Sequence, residues 1–128
     1  MPCLVSLCRP FPWGILLVRD VSSEEVPPDF KSGALLTSTL TSVAIGVAHD
    51  ADGSVTVEVW DSPRPGQSGF LLPEVTIKLF SGVMRVGDVL DDEFVDVPVV
   101  VGLYRIKVLV DDEVEPSKVD VLISLVES

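Results

Sequence analysis

Three observations predict an all-β fold in which two sheets pack face to face as a β-sandwich. Short runs of alternating valine and isoleucine recur along the chain. Turn-forming residues separate them about every eight to twelve residues, the spacing of strands in a sandwich. No apolar stripe of helical period is long enough to make a helix. Valine is the commonest apolar residue, and its stiff, branched side chain suits a pleated sheet. With 128 residues, 47% of them hydrophobic, the chain predicts a single domain over residues 1–128 with its own core.

The elements follow in order. Trp13 to Arg19 is a short apolar run that reads as a buried strand. Asp20 to Lys31 carries Pro27-Pro28 and reads as a loop crossing the surface. Val43, Ile45 and Val47 alternate with Ala44, Gly46 and Ala48, and after a turn at His49 to Gly53, Val55, Val57 and Val59 alternate with Thr56, Glu58 and Trp60. That pattern predicts a hairpin, with Gly53 supplying positive φ. Asp61 to Gly69 is a loop by composition. Val75, Ile77 and Leu79 lead through Ser81-Gly82 into Val83 to Val89, a second predicted hairpin. Asp88 to Asp96 reads as an acidic connection, Val99 to Val110 as a long strand, Asp111 to Pro116 as a turn, and Val119 to Leu125 as the last strand. The sum is a two-sheet antiparallel sandwich of seven or eight strands, in jelly-roll-like or immunoglobulin-like order.

Successive antiparallel strands alternate their loops between two ends. This count gathers 49–53, 81–82 and 111–117 at one end and 61–72 and 89–98 at the other. The acidic runs Asp91, Asp92, Glu93 and Asp111, Asp112, Glu113 then lie about 30 Å apart, at about 3.3 Å per residue of strand.

The net charge of −11 argues against nucleic acid and anionic membrane as partners and leaves basic proteins and divalent cations open. The first 18 residues lack a basic leader, contain Arg9 and three prolines, and end without a small-residue cleavage site, so no signal peptide is read. No transmembrane run is present, and a cytoplasmic location is expected. Cys3 and Cys8 would sit about 16 Å apart on one strand, too far to bridge, and are expected as free thiols.

Candidate chemistry is sparse. Asp50-Ala51-Asp52-Gly53 has some flavour of a calcium loop, to which Asp111 and Asp112 could add oxygens, but it lacks the twelve-residue frame of an EF-hand. An ordinary turn accounts for it as well. His49 is the sole histidine, so any acid–base scheme near neutral pH would rest on it; no Gly-x-Ser-x-Gly elbow accompanies it. No cofactor motif is found, and catalysis is not expected. Trp60 and Phe80 fall opposite their strands' buried rows, so they are either an exposed apolar patch or covered by the N-terminal segment or the Asp20–Lys31 loop.

The order of these segments carries a resemblance. A Pro-containing loop with Asp29-Phe30-Lys31-Ser32-Gly33 precedes Ser42-Val43-Ala44-Ile45-Gly46-Val47 and Val55-Thr56-Val57-Glu58-Val59. Ser81-Gly82-Val83-Met84-Arg85-Val86 and Gly102-Leu103-Tyr104-Arg105-Ile106-Lys107-Val108 follow. Over residues 13–126 the pattern resembles the small bacterial β-sandwich family that includes competence protein J, an inhibitor of a DNA-entry nuclease. The family's Gly-Phe-Ala-Trp-like segment is replaced by Gly33-Ala34-Leu35-Leu36, and no functional residue is carried over. The resemblance implies a binder that blocks a partner.

The expected function is therefore a non-catalytic protein-interaction module of immunity or inhibitor type. It would meet a basic protein partner through Trp60, Phe80, Asp91, Asp92, Glu93, Asp111, Asp112 and Glu113. A small-ligand or calcium-binding sandwich, and an enzyme using His49, are the alternatives. Self-association into a homo-oligomer stays open.

Overall fold

A computed structural model describes residues 3–26, 29–30, 34–61, 69–90 and 94–127. The described chain is nearly all strand: β1 (Cys3–Arg9), β2 (Ile15–Asp20), β3 (Leu36–Ser38), β4 (Ser42–Gly46), β5 (Val55–Asp61), β6 (Phe70–Leu71), β7 (Val75–Leu79), β8 (Val83–Asp88), β9 (Phe94–Pro98), β10 (Gly102–Val110) and β11 (Lys118–Glu127). Single 3-10 turns occupy Pro12–Gly14 and Asp50–Asp52. One sheet runs β1-β5-β11-β10, with β6 and β7 both paired to the far edge of β10; the other runs β3-β4-β2-β8-β9. Among the described residues no helix is long and apolar enough to cross a membrane.

The alternating rows do what their period demands. Val55, Val57 and Val59 of β5, Ile77 and Leu79 of β7, Met84 and Val86 of β8, and Ile106 and Val108 of β10 are fully buried between the sheets. Each such side chain contributes about 1.5–3 kcal/mol relative to exposure. Their neighbours Thr56, Glu58, Thr76, Lys78 and Arg105 face outward.

The sandwich is as expected, and its wiring differs in three ways. There are eleven strands among the described residues rather than seven or eight. The additions are β1, β3, β6 and β9. The pieces β3 and β6 are three and two residues long, too short to show a period. In β9 the charge that suggested a connection is a cross-strand partner: both carboxylate oxygens of Asp96 accept from Arg85, at 2.8 and 3.0 Å, and the guanidinium stacks 3.7 Å over Phe94.

Second, neither predicted hairpin is one. β4 pairs with β2 and β3 while β5 pairs with β1 and β11; β7 pairs with β10 while β8 pairs with β2 and β9. Both connections are arches that carry the chain from one sheet to the other. Alternation tells which face is buried, but an arch and a hairpin bury the same residues and use the same turn formers. Gly53 and Gly82, with φ of 119° and 85°, serve an arch equally well. Third, β5 and β11 run parallel, so the first sheet is not antiparallel throughout.

The wiring relocates the loops. Asp61 ends β5 level with Ile123, midway along β11, whereas Phe70 restarts the chain beside Val110 at the end of β10. With β9 added, the strand parity shifts. Leu16 pairs with Asp88 and Gly87 with Phe94, so the chain leaves β8 and enters β9 at the end where β2 begins. That end also holds 47–54 and 111–117, since Ala48 N donates to Pro116 O at 2.8 Å and Thr56 N to Ser117 O at 2.9 Å. Ser81 and Gly82 lie at the opposite end, where Val99 N donates to Gly82 O. The expected grouping of the loops is thus corrected for 81–82, which lies opposite 111–117; the expected separation of the acidic runs by about 30 Å rests on Asp91, Asp92 and Glu93, which lie outside the described residues. Leu90 and Phe94, the described residues flanking 91–93, stand at the same end as 111–117.

Candidate functional site

Four segments meet at that loop end: Pro12–Gly14, 47–54, the turn after β8, and 111–117. The first has the most unusual backbone. Phe11 is fully buried and anchors the chain, and Gly14 N donates to Phe11 O at 3.0 Å. Between them Trp13 adopts φ 65°, the left-handed region, and is the one non-glycine among the described residues to do so. Gly14 follows at φ 66°, where an added Cβ would lie 2.8 Å from Val47 O. Gly14 O in turn accepts from Val47 N at 2.9 Å. These contacts hold the indole outward, 72% exposed. A left-handed L-residue costs about 1–2 kcal/mol, and an exposed tryptophan recovers little of that by burial. Strain held at an exposed aromatic side chain marks a candidate binding position.

Trp13 lines a shallow recess with Pro12, His49 and Leu90, the last 51% exposed. His49 Nδ1 accepts from Ala51 N at 3.1 Å, which shapes the turn and commits that nitrogen as an acceptor. The histidine forms part of the recess wall.

The acidic loop beside it is built by its own carboxylates. Asp111 Oδ1 accepts from the amides of Ser117 and Lys118, at 2.9 and 3.0 Å, and Oδ2 accepts from Ser117 Oγ at 2.8 Å. Asp112 Oδ1 accepts from the amides of Val114 and Glu115, at 2.7 and 3.1 Å. Burial pushes the Asp111 carboxyl up, but the hydrogen bonds from Lys118 and Ser117 outweigh it and leave its pKa below the ordinary value. The Val114 and Glu115 amides lower that of Asp112. Both stay ionised, as fixed charges that shape the loop. Their turn exposes Glu113 and Val114, the latter 84% exposed. Glu115 differs: the Asp52 carboxyl of the neighbouring loop sits against it and raises its pKa. Two loops thus press like charges together.

Asp111, Asp112 and Glu113 therefore share this end with Trp13, Leu90 and His49, a set the sequence did not single out apart from His49. Asp91, Asp92 and Glu93 lie outside the described residues. Trp60 and Phe80 are elsewhere. Trp60 is half-buried on the outer face of β5, where its Nε1 donates to Asp120 Oδ1 at 3.3 Å. It stands beside Lys118, which bridges Glu58 and Asp120 at 2.6 and 2.9 Å. Phe80, 43% exposed, follows β7 at the opposite end of the sandwich, and β11 and β10 lie between its strand and β5. The two aromatics do not form one patch. Cys3 and Cys8 are exposed free thiols. Among the described residues no group of three or more His, Cys, Asp or Glu side chains is placed to hold a metal ion.

No protein-family model and no curated protein matches the chain. Solved structures do. ComJ from Bacillus subtilis, described as an inhibitor of the DNA-degrading activity of NucA, superposes with a TM-score of 0.78 over 98% of each chain at 7% identity. The chain shares its fold with ComJ. The product of crocagin biosynthetic gene J superposes with a TM-score of 0.61 over 96% of each chain at 14% identity. At these identities the likeness is one of fold, and it agrees with the strand-and-turn resemblance over residues 13–126.

Proposed function

We propose that this protein is an inhibitor-type interaction module that binds a basic, DNA-degrading enzyme through the loop end carrying Trp13. The observation that carries the reading is the outward Trp13, held in left-handed backbone beside Leu90 and bordered by the acidic 111–117 loop. Interfaces draw most of their energy from a few aromatic anchors set within a polar rim. An acidic rim steers a basic partner and occupies the place of phosphates in its cleft. The shared fold with ComJ supplies the partner class, and the chain's own charge of −11 is compatible with it.

The test is capture of the partner from an extract of the native source, with wild type and Trp13→Ala as baits at 50 and 500 mM salt. The captured protein is then assayed for DNA degradation with and without the chain. The reading expects a basic protein that binds wild type at low salt, is lost with Trp13→Ala, and is inhibited in proportion to binding. Equal capture by both baits, or unchanged DNA degradation, contradicts it.

A further inference from the structure

The outer faces of the two sheets are furnished differently. On β5 the outward residues include Thr56 and Glu58, the polar choice expected of a solvated face. On β2, the central strand of the second sheet, they are Ile15, Leu17 and Arg19. The register sets Leu17 between Ala44 of β4 and Gly87 of β8, two residues too small to cover it. Residues 23–26, 29 and 30 stand around this floor without filling it. A cleft of about 400 Å³ remains, its floor made by Ile15, Leu17 and Ala44 and its walls by Val26, Phe30 and Val89.

The charges around the cleft are unbalanced. Among the described residues Glu24, Glu25 and Asp29 border it against the guanidinium of Arg19, three carboxylates to one cation. Arg19 Nη1 donates to Ser23 O at 3.3 Å, so the cation is turned toward the backbone of the same segment. Glu25 accepts from the hydroxyl and, at 3.0 Å, the amide of Thr41; the hydroxyl bond holds its pKa below the ordinary value, and it stays ionised. Glu24 and Asp29 are exposed at the rim.

We infer that this cleft binds a small apolar amine. The apolar body rests on Ile15, Leu17 and Ala44, and the ammonium sits at the rim among Glu24 and Asp29. An apolar floor with a few polar groups at its mouth is the usual make-up of a small-ligand site. The excess of carboxylates selects a cation over a carboxylate of the same size. The cleft meets the loop end only through Val89 of the turn after β8, contains none of Trp13, His49, Leu90 or 111–117, and does not rest on the proposed function.

Decylamine is the probe, titrated below its micelle concentration and followed through the methyl resonances of Leu17 and Ala44, with decanol and decanoate as comparisons. Saturable one-to-one binding is expected, strongest for decylamine and weakest for decanoate. Ala44→Leu fills the floor and abolishes it. Should that variant fail to fold, Thr37→Leu on the edge strand β3 narrows the same cleft and weakens binding. The pair Glu24→Gln with Asp29→Asn lowers decylamine affinity roughly fivefold and leaves decanol unchanged. Absence of saturable binding, equal affinity for all three probes, or indifference to the filling variants overturns the inference.

Discussion

The two ends of this sandwich use their polar side chains in opposite ways. At the far end Asp20 is fully buried at the close of β2. Its Oδ1 accepts from the amide and hydroxyl of Ser81, at 2.9 and 2.8 Å, and its Oδ2 from Ser22 N at 3.0 Å. Ser23 Oγ and Thr41 Oγ1 meet at 2.7 Å, and Thr41 also binds Glu25. These side chains stitch the 20–25, 39–42 and 81–83 turns to one another. At the near end carboxylates also shape loops, but the result is projection. Trp13, Leu90 and Val114 point outward, and Glu115 is pressed against Asp52. One end spends its polar groups on closure, and the other gives up stability to present a surface.

Breaking the closed end should have the largest effect. Asp20→Ala removes the acceptor of three hydrogen bonds, from Ser22 N, Ser81 N and Ser81 Oγ, and is expected to cost about 3 kcal/mol of stability, about 1 kcal/mol for each bond. Urea unfolding checks this, and a loss below about 1 kcal/mol would mean the end is not held as described. Next is Trp13→Ala, expected to weaken partner binding by about 2 kcal/mol or more, as for an aromatic anchor, while leaving the urea midpoint unchanged. Trp13→Gly sharpens the contrast, because it relieves the left-handed strain of about 1–2 kcal/mol and should raise the midpoint while abolishing binding.

These predictions rest on residues of unequal legibility in the sequence. The valine rows of β5, β8 and β10 were readable because their period of two is a local property. The pairing of those rows was not, because β5 finds β11 in parallel and far along the chain, Thr56 opposite Lys118. Asp20, at the edge of a polar stretch, carries no sign that it is fully buried. Trp13 was masked by its neighbours: Trp13-Gly-Ile-Leu-Leu-Val reads as one apolar strand, yet the strand begins at Ile15 and the tryptophan is turned out by two successive left-handed residues. The Trp-Gly pair was the available signal, since glycine next to a large aromatic in a strand suggests a backbone irregularity. The acidic loops were visible as composition, and the shared end of Leu90, Phe94 and the 111–117 turn was hidden by the unrecognised β9.

Smaller effects should come from the carboxylates of the open end. Asp111 and Asp112 have lowered pKa values in the folded protein. Their contribution to stability is therefore complete above the ordinary carboxylate range, about pH 4. It is lost as pH falls through the lower folded values. Asp111→Asn should flatten the acid limb of a stability-versus-pH profile. Glu115 has the opposite sign: its folded pKa is raised, so its effect favours the fold at low pH and is lost as pH rises through the carboxylate range. Glu115→Gln should slightly raise the neutral-pH midpoint while weakening partner binding at low salt. A variant that loses both stability and binding would place Glu115 with the closed end instead.

The most direct test sets one aromatic from each end against the other. Partner affinity is measured by titration calorimetry for wild type, Trp13→Ala at the loop end and Phe80→Ala at the opposite end. The account predicts a loss of about thirtyfold or more for Trp13→Ala, the scale of an aromatic hot spot, and wild-type affinity for Phe80→Ala. Full affinity in Trp13→Ala with a loss in Phe80→Ala would contradict it.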